Sequence, residues 1–76
     1  MRFEYLTPQY RYVFVFRKDL PDYVDIQTYE PKYSGGSAWL HKIKDGEIIW
    51  RTDEFCRLTP DAKRYISKIV KLLAFA

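Results

Sequence analysis

Ala38-Trp39-Leu40-His41-Lys42-Ile43-Lys44-Asp45-Gly46-Glu47-Ile48-Ile49-Trp50-Arg51-Thr52 is the stretch that organises this chain. Asp-Gly between two β-type runs predicts a two-residue type I′ turn, because both turn positions need positive φ, which Asp tolerates and Gly adopts freely. So short a loop dictates the register: Lys44 opposes Glu47, Ile43 opposes Ile48 and His41 opposes Trp50. One face of the hairpin then carries Trp39, His41, Ile43, Ile48 and Trp50. The other carries Leu40, Lys42, Lys44, Glu47, Ile49 and Arg51. The first face belongs to a core and the second is half-solvated.

Upstream, residues 10–17 (Tyr-Arg-Tyr-Val-Phe-Val-Phe-Arg) read as a strand apolar on both faces at its middle, with Tyr10, Tyr12, Phe14 and Phe16 on one side. That pattern suits a central strand covered from both directions. Residues 23–30 form a further strand, with Val24, Ile26 and Thr28 facing one way and Tyr23, Asp25, Gln27 and Tyr29 the other; Pro31 ends it. A short edge strand over about 2–6 precedes them, closed by Thr7-Pro8-Gln9. The one flexible-looking loop runs from Lys32 to Ser37 and contains two consecutive glycines.

Downstream, Thr59-Pro60-Asp61 signals a helix start, with Thr as N-cap, Pro at the first helical position and an acid in the first turn. Ala62, Tyr65, Ile66, Ile69, Val70, Leu72 and Leu73 then recur at helical spacing. Lys63, Arg64, Ser67, Lys68 and Lys71 fill the opposite side. The expected architecture is α+β: one domain over 1–76, an antiparallel meander of three to five strands (about 2–6, 10–17, 23–30, 38–44 and 47–52), and a C-terminal helix over about 60–75 packed on one face.

Seventy-six residues make a small domain whose stability is marginal. Thirteen basic against ten acidic side chains leave a net charge of +3, with acids interleaved among the bases. This balance permits a polyanionic partner without demanding one. The longest purely apolar run, residues 12–16, is far too short to span a bilayer. No signal-peptide pattern opens the chain, and Cys56 is the only cysteine, so no intramolecular disulfide or cysteine-rich zinc site exists. A free-standing, cytoplasmic domain without cofactor or metal is expected.

The chemistry-bearing fragments are sparse. His41 and Cys56 are the only His/Cys pair, but His41 points into the core beside Trp50, and Cys56 reads as a small buried filler. Pro21-Asp22 followed by Glu30-Pro31-Lys32 matches the signature of PD-(D/E)xK nucleases only superficially. The gap is short, Pro31 breaks the strand that should carry Glu30 and Lys32, and the framing helices are missing. A metal-free ribonuclease, as in small bacterial toxins, needs no motif, so composition does not exclude it; it stands as a second alternative by fold-level analogy. The chain reads as a non-enzyme.

Seven tyrosines are the most unusual feature of the composition. One helix covers one sheet face, which leaves the other as the working surface. Phe14 and Phe16 are expected under the helix, with Tyr10 and Tyr12 near the rim. Tyr10, Tyr12, Tyr23, Tyr29 and Tyr33 are the expected contact aromatics, and Lys42, Lys44 and Arg51 the charged contacts. A sheet followed by a packed helix over residues 38–75 resembles, in layout alone, plant AP2-type and integrase arm-binding domains. That likeness implies a nucleic-acid-binding alternative through the basic and aromatic sheet face. A protein partner is the leading expectation, with β-addition at an outer strand, including to a second copy, as a further mode. Small domains without chemistry are common among phage and mobile-element accessory proteins that inhibit a host complex, and that is the class expected here. No membrane contact is expected.

Overall fold

The computed structural model describes residues 1–30, 36–51 and 58–75. Five strands follow one another as β1 (Arg2–Leu6), β2 (Arg11–Val15), β3 (Tyr23–Tyr29), β4 (Gly36–Lys44) and β5 (Glu47–Ile48), and helix α1 (Pro60–Ala74) closes the chain. The sheet order is β1-β2-β3-β4-β5, an antiparallel meander curled as a half-barrel with α1 against its inner face. The expected α+β class and meander hold.

The hairpin forms as its turn chemistry dictates. Asp45 and Gly46 have φ of 54° and 76°, and Ile43 pairs with Ile48 and Lys44 with Glu47. The second hairpin strand is shorter than the six residues expected. One more bond, from the Ile49 N–H to the Lys42 carbonyl at 2.8 Å, extends the pairing, after which the regular ladder ends. Trp50 nevertheless stands edge-on to His41 with centroids 5.6 Å apart, and the Lys63 ammonium lies 5.3 Å from the Trp50 ring centre. Packing beneath the helix, not ladder bonding, holds this end of the hairpin.

At the other end of the sheet, Thr7 makes the β1–β2 turn. Its N–H and its hydroxyl both donate to the Tyr10 carbonyl, and its Oγ1 accepts from the Tyr10 N–H at 2.8 Å. A Thr-Pro pair is a sufficient turn signal here because the Thr7 hydroxyl closes the turn onto Tyr10 and Pro8 has no N–H to leave unpaired.

The core lies between α1 and the inner face. Tyr12, Phe14, Val24, Ile26, Ile48, Ala62, Ile66 and Val70 form its buried cluster. Ala62, Ile66 and Val70 recur every four residues and project from one helix stripe onto the sheet. Truncating Ile66, which is fully buried, to Ala costs about 2–5 kcal/mol. Thr59 caps α1, its Oγ1 accepting from the Ala62 N–H at 3.2 Å. Leu72 departs from expectation. Expected on the apolar stripe, it is 71% exposed, because it lies two residues past Val70 and so on the far side of the helix.

The tyrosine excess finds its use largely here. Tyr65 of α1 meets Tyr5 edge-on at 5.1 Å and Phe14 at 5.9 Å, while Tyr12 lies 6.5 Å from Tyr5 and 5.8 Å from Tyr10. Tyr12, expected near the rim as a contact aromatic, has no exposed surface. The helix begins directly against it: the backbone and hydroxyl of Thr59 both reach the Tyr12 oxygen, and burial pushes its phenol above the usual tyrosine range. Tyr12 is a core residue.

Candidate functional site

The sheet face turned away from α1 is the surface that the sequence nominates. Cross-strand pairing sets its rows: Glu4, Val13, Gln27 and Ala38 in one; Arg2, Val15, Asp25 and Leu40 in the next; Tyr23 and Lys42 beyond. Val13 is only 1% exposed, and among the described residues no helix or strand is layered on this side. The polar side chains flanking it lie along the sheet and bond to each other. Glu4 Oε1 accepts from Arg11 Nη2 at 2.7 Å and from Arg2 Nη2 at 3.0 Å. Gln27 donates to Asp25 at 3.0 Å, and the Tyr29 hydroxyl donates to Gln27 at 2.8 Å. Arg11 also stands 5.6 Å over the Tyr29 ring. The bond from Arg11 holds the Glu4 carboxyl below the usual carboxylate range. This half of the face is a lattice whose polar groups already serve one another.

Tyr29 is therefore tied into that lattice, and its ring also lies against Gly36, where an added Cβ would sit 2.7 Å from the Tyr29 Cδ1. Lys42 and Lys44 are exposed on the outer face, as expected, with Leu40 and Ile49 exposed between and beside them. Arg51 does not join them. Its guanidinium lies 4.5 Å over the ring of Trp39, which pairs with Ile26 and faces the helix side. Tyr10 packs against the core from that same side. Tyr23 is half-buried, and Tyr33 and Cys56 lie outside the described residues. The seven nominated contacts that are described are thus divided between two faces and the core.

A second opening lies elsewhere. Where the last turns of α1 overhang the end of the sheet, a cleft of about 490 Å³ opens between Met1, Phe16, Leu20, Ile43, Val70 and Leu73. The β2–β3 turn forms one wall. The Arg17 guanidinium forks onto Asp19 at 2.6 and 3.1 Å, and the Leu20 N–H donates to the Arg17 carbonyl at 3.2 Å, which places Leu20 inward. That pairing holds Asp19 below and Arg17 above their ordinary values. Lys18, Asp22 and Asp45 stand around the mouth. Met1, Leu73 and Phe75, at 66%, 38% and 78% exposure, extend the apolar surface beyond it. Sequence reasoning missed this cleft. The signals were a leucine and a proline inside a polar turn, and apolar residues continuing past the last buried turn of the helix.

His41 is buried, its Nδ1 3.3 Å from the Trp39 carbonyl oxygen and its ring against Trp50. Among the described residues, no three His, Cys, Asp or Glu side chains are placed to hold a metal ion. No described helix is long and apolar enough to cross a membrane. No family model, curated protein or solved structure matches this chain.

Proposed function

We propose that this chain is a non-catalytic binding domain that grips an apolar side chain of a protein partner in the cleft at the helix C-terminal end. The observation that carries this reading is the cleft itself. It is large enough to enclose a bulky anchor residue, it is walled by aliphatic and aromatic side chains, and Met1, Leu73 and Phe75 continue it outward. Protein interfaces concentrate their energy in such pockets, where a Trp, Phe or Leu is fully desolvated and a polar rim excludes water. Lys18, Asp22 and Asp45 provide that rim with mixed charge. Partner contact here is an inhibitory or assembly function by occupancy, with no bond made or broken.

The nucleic-acid alternative draws less support. Stacking platforms need free aromatic rings beside cations, whereas Tyr29 is bonded into the outer lattice and Arg51 stands on the inner side. Lys42 and Lys44 alone would release few counterions, with a shallow salt dependence.

The test is affinity capture from lysate with wild type, Leu73→Glu and Lys42→Glu/Lys44→Glu, each with and without nuclease. Capture of a stoichiometric protein that survives nuclease, is lost at least tenfold in Leu73→Glu and persists in the lysine pair supports the cleft. Capture that depends on the lysine pair or disappears with nuclease overturns it.

A further inference from the structure

The geometry points to a second surface with a definite occupant: β1 pairs antiparallel with β1 of another copy of this chain, in the one register that sets Arg2 opposite the partner's Glu4. This goes beyond the cleft and does not depend on it. β1 is the first strand in the sheet order, and among the described residues nothing pairs with its outer edge.

Which backbone groups are free follows from the ladder. Met1 and Phe16 exchange bonds, the Phe16 N–H donating to the Met1 carbonyl at 2.8 Å and the Met1 ammonium to the Phe16 carbonyl at 3.1 Å. At the other end the Thr7 N–H donates to the Tyr10 carbonyl. In an antiparallel pair such bonding recurs at alternate residues, so Met1, Phe3, Tyr5 and Thr7 spend their groups on β2. The N–H and C=O groups of Arg2, Glu4 and Leu6 therefore point outward, a template for strand addition.

In a two-fold pairing, outward residues must meet outward residues. Five registers need weighing, and charge selects among them. Arg2 on the partner's Arg2 confronts two cations, and the register with Arg2 on the partner's Leu6 confronts Glu4 with the partner's Glu4. Glu4 on the partner's Leu6 and Leu6 on the partner's Leu6 form no ion pair. Only the register centred on Phe3 sets Arg2 against the partner's Glu4, twice by symmetry; Arg2 then exchanges its 3.0 Å contact with its own Glu4 for the partner's, while Arg11 stays on the Glu4 of its own chain. Like charges directly opposite each other are destabilising and opposite charges are favourable. Edge charges usually discourage pairing; here their spacing favours one arrangement, opposes two and gives the others no ion pair.

Sedimentation of the full chain over a concentration series tests this. Wild type is expected to dimerise, Glu4→Arg to weaken the dimer at least tenfold, and Arg2→Glu/Glu4→Arg to recover it. Folding of each variant is checked by circular dichroism. In the Cys56→Ser background, Phe3→Cys is expected to form a covalent dimer on oxidation, because the axial pair is not hydrogen-bonded and its α-carbons approach to about 4.5 Å, within disulfide reach. Tyr5→Cys is expected not to. A wild type that stays monomeric, a dimer indifferent to Glu4→Arg, or no recovery in the charge swap overturns the proposal. The charge swap decides if Phe3→Cys does not fold.

Discussion

The guanidinium of Arg51 stands 4.5 Å from the centre of the Trp39 ring. Trp39 pairs with Ile26 in the ladder and shares the inner face with His41, so this contact draws Arg51 away from Lys42 and Lys44. A guanidinium over an indole contributes about 0.5–1 kcal/mol at an exposed site. A double-mutant cycle of Arg51→Ala with Trp39→Leu, read by urea denaturation, is expected to return a coupling of that size. The same cycle with Lys42→Ala in place of Arg51→Ala should return none.

The hairpin turn has a second constraint besides its backbone. Gly46 has φ of 76°, and the Phe75 ring lies where a Cβ would come within 3.0 Å of it. Gly46→Ala is therefore strained and crowded at once, and should lower stability by about 1–3 kcal/mol. Asp45→Asn, which suits the same turn, should be nearly neutral. Thermal melts of the two variants check the contrast.

Thr59 links the helix start to the core through Tyr12. Thr59→Ala removes the cap and should cost about 1 kcal/mol. Burial raises the Tyr12 pKa in the folded chain, so the folded state retains that proton longer than the unfolded one. This contribution is fully present below the ordinary tyrosine value of about 10 and is lost as pH rises toward the folded pKa. Urea midpoints measured through the alkaline range should fall for wild type and fall less steeply for Tyr12→Phe.

At the acid end the sign is opposite. Arg11 lowers Glu4, and Arg17 lowers Asp19. Both pairs stabilise the fold above the ordinary carboxylate value of about 4, and the effect is lost as pH falls through the depressed folded values. Glu4→Gln should flatten the acid limb of a stability-against-pH curve measured in low salt. Added salt should shrink the difference, because both pairs are exposed and screened.

Much of the architecture was legible along the chain. Asp45-Gly46 dictated the hairpin register, alternation marked β2 and β3, and Thr59-Pro60-Asp61 marked the start of α1. The candidate site was far less legible. Tyr12 looked like a rim aromatic because Tyr and Phe alternate identically in β2; only the seat of α1 on that strand buries both. Arg51 reads as an outer-face cation only if the alternation of β5 continues, whereas the ladder ends after the Ile49 bond.

Turn type, strand period and helix capping depend on dihedral preferences and on neighbours within a few residues, so the amino-acid order alone determined them. The overhang that opens the cleft, the hydrogen-bonded lattice beside Val13 and the place of β1 at the end of the sheet order were decided by the tertiary structure. Each depends on where distant elements come to rest against one another, and the pattern of polar and apolar residues within a segment carries no measure of that placement.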